Sequence, residues 1–111
     1  MRVVTDQVGR PTATTDLAEA LVELYKTEAE GVVHFDNAGE VTWNEFAREI
    51  FRLAGRPEIE VAPITSEDLN RPARRPAYSV LSTEKYEKLT GRTPRDFRAP
   101  LAEYLERRKA R

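Results

Sequence analysis

Hydrophobic and polar positions alternate in period along this chain, and the changes of period mark its elements. Val3, Val4 and Thr5 form a short β-branched run at the start, which predicts a strand. Nothing like a turn or helix precedes it, so the chain reads as beginning part-way through a larger unit. After the polar loop Asp6 to Thr12, the apolar positions Leu17, Ala18, Leu21, Val22, Leu24 and Tyr25 recur at helical spacing. They predict a helix that starts at Thr14 or Thr15, with a hydroxyl as cap and Asp16 and Glu19 near its positive end, and that buries its apolar face. Val32-Val33-His34-Phe35, set between Gly31 and Asp36-Asn37-Ala38-Gly39, predicts a buried strand closed by a turn.

Thr42-Trp43-Asn44-Glu45 has the spacing of a capping box, and Trp43, Phe46, Ala47, Ile50, Phe51, Leu53 and Ala54 continue it as a broad apolar face up to Gly55 and Pro57. Ile59 and Val61 alternate with Glu58, Glu60 and Ala62, predicting a third, half-exposed strand that leads to Pro63. Ser66 to Leu69 is one helical turn at most. A short helix is expected from Ser82 or Thr83 through Leu89, stopped by Gly91. The last begins near Thr93-Pro94, or at Pro100, with Phe97, Leu101, Tyr104 and Leu105 buried and a fraying tail from Glu106 to Arg111. The sum is a small α/β domain of about three short strands and four helices, one domain over residues 1–111.

Between the third strand and the short helix lies a stretch that obeys neither period. Arg71-Pro72-Ala73-Arg74-Arg75-Pro76 packs three arginines and two prolines into six residues. Proline fixes φ and has no amide proton, so the segment is an extended, stiff connection. Stiffness lowers the ordering cost of binding, and guanidinium groups suit phosphate. The alternative is that these arginines pair with acidic side chains or face water. Tyr78, Val80 and Leu81 are expected to anchor the connection to the core.

Composition narrows the chemistry. The 111 residues carry 18 basic and 19 acidic side chains, a net charge of −1, so bulk attraction to nucleic acid or an anionic membrane is not supported, and an anion site must be local. Without cysteine there is no disulfide, thiolate metal site or catalytic thiol, and a reducing cytoplasm is the simplest setting. No apolar run approaches the roughly 18 residues of a membrane span. His34, the single histidine, sits in an apolar run and reads as structural; no metal ligands are assigned. The five glycines never take the spacing of a dinucleotide fingerprint or a P-loop. Recognition remains, and the groups to bring together around an anion are Gln7 and Arg10 on the first loop with Arg74 and Arg75 on the basic connection. For Gln7 the alternative is a turn hydrogen bond, and for Arg10 solvent exposure.

Three stretches carry a resemblance. Asp6-Gln7-Val8-Gly9-Arg10-Pro11-Thr12 with Asp16-Leu17-Ala18, Gly31 to Phe35 before Gly39-Glu40-Val41-Thr42-Trp43-Asn44-Glu45-Phe46-Ala47, and Arg75-Pro76-Ala77-Tyr78-Ser79-Val80-Leu81 resemble, in order, the C-terminal part of dTDP-4-dehydrorhamnose reductases, a family of extended short-chain dehydrogenases. The resemblance implies NADPH-dependent reduction of dTDP-4-dehydro-L-rhamnose to dTDP-L-rhamnose, with this chain as the sugar-nucleotide-binding portion. It also implies that the arginine of Arg75-Pro76 neutralises the substrate pyrophosphate and that Gln7 and Arg10 border the nucleotide. The family's glycine-rich cofactor loop and Tyr-x-x-x-Lys pair are not found: Tyr25, Tyr78, Tyr86 and Tyr104 all lack a lysine four residues later. The chain is therefore expected to lack the Rossmann cofactor domain, to bind no cofactor alone and not to catalyse alone. Its expected partners are a dTDP-sugar and either that N-terminal domain or a second copy. A non-catalytic regulatory or interaction module is the alternative function.

Overall fold

In the computed structural model, residues 1–109 are described. The elements run β1 (Arg2–Val4), β2 (Val8–Gly9), α1 (Thr14–Tyr25), β3 (Val41–Thr42), α2 (Trp43–Leu53), β4 (Ala62–Ile64), α3 (Ser66–Leu69), α4 (Glu84–Thr90) and α5 (Arg98–Lys109). This is a small α/β fold with four short strands and five helices. β1 pairs in parallel with β4, Val3 opposite Pro63, and β2 pairs antiparallel with β3, Val8 opposite Thr42. Pro63 lacks an amide proton and is tolerated because this two-stranded sheet offers only edges.

α2 ties the two sheets together. Its start is the predicted capping box: Thr42 Oγ1 accepts from the Glu45 amide at 3.1 Å while the Glu45 carboxylate accepts from the Thr42 amide at 3.2 Å. At the second helical position, the buried Asn44 donates to the carbonyls of Val3 (3.0 Å) and Ala62 (3.2 Å), stapling β1 to β4 from the helix side. Val4, Val41, Val61, Ile64 and Phe97 are buried around it, and Phe46 stacks edge-on against Phe97 with ring centroids 5.6 Å apart. Phe35 meets Tyr86 of α4 in the same way at 5.0 Å.

A second, polar core joins α1 to α5. Asn37 is fully buried: its Oδ1 accepts from the Ala13 amide at 2.8 Å, and its Nδ2 donates to Asp16 at 2.7 Å and to the Arg95 carbonyl at 3.2 Å. Asn37 thereby serves the first turn of α1, whose N-cap is Ala13 with no side-chain cap of its own. Gly39, at φ +99°, lies where a Cβ would come within 2.9 Å of the Phe97 ring. No side chain fits there.

Several expectations are corrected. Val32 to Phe35 forms no strand; Val32 and His34 are exposed, since no backbone edge lies beside them to pair with. The third strand lies at Ala62–Ile64, past the predicted Ile59 and Val61. α1 turns Asp16 and Ala20 inward and leaves Leu17, Leu21, Val22 and Tyr25 exposed, Tyr25 by 90%. The pull of Arg95 and Asn37 on Asp16 sets that orientation, and nothing among the described residues covers the leucine face. α5 starts at Arg98 and takes Pro100 into its first turn, where the missing amide proton costs no bond. Of the tail, Glu106 to Lys109 is helical, and Ala110 and Arg111 lie outside the described residues. The whole measures 45 × 38 × 19 Å with a radius of gyration of 16.1 Å, against about 13 Å for a compact domain of this length. It is a slab.

Candidate functional site

The basic connection folds into one wall of a cleft. Asn70, in the left-handed region at φ +50°, turns the chain out of α3, and Arg71 to Pro76 then runs exposed without regular structure. Its far end is held by backbone pairing with β2: the Val8 amide donates to the Ala77 carbonyl at 2.8 Å and the Ser79 amide to the Val8 carbonyl at 2.9 Å. Tyr78 and Leu81, expected as apolar anchors, are 59% and 39% exposed. Their fixings are polar instead. The Tyr78 hydroxyl donates to Glu40 at 2.9 Å, which pushes its pKa up, and the Leu81 amide donates to Asp36 at 3.1 Å.

The opposite wall is the loop after β1. Asp6 accepts from the Ser66 amide at 3.1 and 3.0 Å and from the Ser66 hydroxyl at 2.6 Å, and the hydroxyl bond above all holds its carboxyl below the usual carboxylate range. Gln7 donates from Nε2 to Ser66 Oγ at 2.8 Å. Between these walls lies an open cleft of about 500 Å³ lined by Asp6, Gln7, Ser66, Leu69, Arg71, Arg74 and Arg75 among others. That volume suits a nucleotide-sized ligand. Among the described residues, no carboxylate or carbonyl engages the guanidinium of Arg71, Arg74 or Arg75. The cleft is net cationic: Arg71, Arg74 and Arg75 outnumber the carboxylates of Asp6, which is bonded to Ser66, and Glu67, which is exposed.

Three of the four residues singled out from the sequence, Gln7, Arg74 and Arg75, thus meet in one cleft. Arg10 does not. Its Nη1 lies 3.4 Å from the buried Asp36 and 3.2 Å from the Leu81 carbonyl, its Nη2 lies 3.5 Å from Glu40, and its Nε is buried without a partner. Two carboxylates claim that guanidinium, so it braces β2 against the Leu81 segment and leaves the cleft. Sequence reasoning missed Asp6 and Ser66, which form the cleft floor 60 residues apart in sequence, and the loop pattern of Asp6 alone carried no sign of that pairing. His34 is exposed and remote from the cleft walls.

A dinucleotide cofactor needs backbone amides free at a helix N-terminus and glycines that let it approach. Here one amide at the start of each of α1, α2 and α3 is engaged, by Asn37, Thr42 and Asp6 respectively, and none of the three starts is glycine-rich, so these three starts do not supply a dinucleotide cradle. No set of three or more potential metal ligands clusters among the described residues, and no helix there is long and apolar enough to cross a membrane.

Fold and cleft together define an α/β domain that offers unpaired guanidinium groups across an open site. Residues 1–110 match the family described as RmlD substrate binding domain, and the chain belongs to that family. It is 42% identical over 110 residues to the spore coat polysaccharide biosynthesis protein SpsK of Bacillus subtilis, covering 99% of this chain and 38% of that protein. It is 46% identical over 107 residues to a dTDP-4-dehydrorhamnose reductase of Streptomyces griseus, covering 91% and 35%. Among solved structures, a dTDP-4-dehydrorhamnose reductase of Clostridium acetobutylicum superposes with a TM-score of 0.89 at 39% identity, over 98% of this chain and 39% of the other. One from Bacillus anthracis, in complex with NADP, superposes at 0.84 and 30% identity, over 97% and 38%. The chain spans between a third and two-fifths of the length of these relatives.

Proposed function

We propose that this chain is the sugar-nucleotide-holding, C-terminal portion of a cytoplasmic dTDP-4-dehydrorhamnose reductase of the extended short-chain dehydrogenase type. In that reading Arg74 and Arg75 grip the diphosphate of dTDP-4-dehydro-L-rhamnose and Gln7 borders the nucleotide, while Arg10 acts as a brace. The observation that carries it is the pair of guanidinium groups held without an acid partner on a proline-stiffened wall, facing a cleft of nucleotide size. Two phosphates bring charge to match. Arginine offers them fork-shaped, charge-assisted bonds, and the stiff wall reduces the entropy lost on binding.

In the whole enzyme NADPH would supply hydride to the keto carbon. The chain carries no dinucleotide fingerprint, and in this reading that chemistry would fall to a separate N-terminal Rossmann domain that would also bring the proton-donating tyrosine. The relatives' greater length supports such a division, and so does the uncovered Leu17, Leu21, Tyr25 face of α1, which a neighbouring domain would bury.

Calorimetric titration with dTDP tests the reading. Saturable binding that weakens as salt rises, and about tenfold on Arg75→Ala, is the expected result. Unaltered binding in that variant removes Arg75 from the site. An NADPH oxidation assay with the keto sugar nucleotide is expected to stay flat for this chain alone, and turnover would overturn the division of labour.

A further inference from the structure

Asp6, Ser66 and Gln7 form a relay whose direction follows from proton counting. Asp6 is ionised and accepts only. It takes both the backbone and the hydroxyl proton of Ser66. A serine hydroxyl has one proton, so Ser66 Oγ has none left and presents only lone pairs toward Gln7. The Gln7 atom 2.8 Å from that oxygen must therefore be the amide nitrogen. An amide's oxygen and nitrogen interchange by a flip, and here the acid two links away removes the ambiguity.

With Nε2 fixed, Oε1 occupies the other branch of the amide, and among the described residues no side chain or backbone group donates to it. Gln7 lines a cleft whose other polar side chains include Arg71, Arg74 and Arg75, which donate and never accept, and Asn70, whose side-chain amide no bond orients among the described residues. The remaining acceptors there are already placed: Asp6 is taken by Ser66, and Glu67 is exposed on the rim. The cleft therefore pairs a cluster of cationic donors with a neutral acceptor, Gln7 Oε1, whose orientation is held by Ser66.

We propose that Asp6 and Ser66 are positioning residues that present Gln7 Oε1 as an acceptor for the imide N–H of a pyrimidine base, making the cleft selective for thymine or uracil nucleotides over cytosine. The inference rests on the reading of the cleft as a nucleoside-diphosphate site. Sugar hydroxyls both donate and accept, so a fixed acceptor discriminates little among them. The ring position N3 does discriminate: it bears a proton in thymine and uracil and a lone pair in cytosine. An acceptor facing that lone pair is left unpaired, which costs more than the bond itself is worth.

The test is titration of the chain with pyrophosphate, dTDP, dUDP and dCDP, the last two alike except at that edge. The wild-type chain is expected to favour dUDP over dCDP about tenfold. In Asp6→Asn the side-chain amide donates to Ser66 Oγ and frees the hydroxyl proton to turn toward Gln7, so the Gln7 amide flips and shows a donor. The preference then drops below about twofold or reverses. Gln7→Ala, which leaves the Asp6–Ser66 contact in place and guards against a folding artefact in the first variant, is expected to abolish the preference while pyrophosphate affinity stays within about twofold. Binding of dTDP without base preference in the wild type, or a preference that survives both substitutions, overturns the assignment alone. Failure of all four ligands to bind overturns the nucleotide reading and this assignment with it.

Discussion

Arg95 and Arg75 carry the same head group and are used in opposite ways. Arg95 makes two forks, Nε and Nη2 to Asp16 at 2.9 Å each, and Nη1 and Nη2 to Glu103 at 2.8 Å each, closing the polar core over Asn37. These bonds push its pKa further above the ordinary arginine value, Asp16 contributing most. Arg75 has no such partner among the described residues and stands on an exposed wall. A guanidinium held by two carboxylates is a structural part; one held away from carboxylates by flanking prolines remains available to a ligand. Arg10 sides with Arg95. Proximity in sequence to the basic cleft therefore says little about membership in it, and the count of acids within reach says more.

If that contrast is right, the largest losses of stability come from the Arg95 side. Asn37→Ala removes an acceptor from the Ala13 amide and a donor from the Asp16 carboxylate inside a region closed to water. A buried polar group left unpaired costs about 1–3 kcal/mol, so a loss of about 3 kcal/mol is expected in urea unfolding, with the midpoint shifted and the slope unchanged. Gly39→Ala follows at about 2 kcal/mol, combining the positive φ with a collision that the buried Phe97 ring cannot relieve. A loss below about 0.5 kcal/mol in either variant would show that the segment between α1 and α5 is looser than its bonds suggest.

These two residues also mark where the sequence stops being readable. The capping box at Thr42 and Glu45, the αL glycine that ends α4 and the proline-stiffened arginines are local devices, and each stands where its own few residues put it. Asn37 looks like a turn residue, and only the fold reveals that it caps α1 from 24 positions away. Periodicity marks Leu17, Leu21 and Tyr25 as one apolar face but carries no information about whether this chain or another covers it. Likewise, β-branched residues at Val32 and Val33 become a strand only when an edge is there to pair with, and among the described residues they pair with none. Gln7, Arg74 and Arg75 stand out in the sequence because their chemistry is unusual for their positions, and the fold brings them to one cleft. Arg10 looked the same, and only the placement of Asp36 and Glu40 separates it from them.

Acid sharpens the comparison at a smaller scale. The fork from Arg95, followed by the Asn37 bond, holds the Asp16 carboxyl below its ordinary value. For a carboxylate depressed in the folded state, the contribution is fully present above the unfolded value of about 3.9 and is lost as pH falls through the lower, folded value. Urea midpoints measured from pH 6 down to pH 2 should therefore fall on the acid side, and the limb should flatten in Asp16→Asn, which starts less stable at neutral pH. An unchanged acid limb in that variant would assign the pH dependence to other carboxylates, such as Asp6 and Glu103, which are depressed for similar reasons.

The smallest expected change is the most telling one. Arg75→Ala removes a side chain that touches no acid among the described residues, lies on an exposed segment, and shares its wall with the like charges of Arg71 and Arg74. Exposed substitutions of this kind stay within about 0.5 kcal/mol, and relief of repulsion within the arginine cluster makes a slight gain the favoured sign. Set beside the roughly tenfold loss of dTDP affinity expected for the same variant, a flat urea midpoint separates binding from folding in one molecule. An unfolding free energy that fell by more than about 1 kcal/mol would mean that Arg75 holds the fold as Arg95 does, and the weakened binding would then be a symptom of a damaged wall instead of a missing contact.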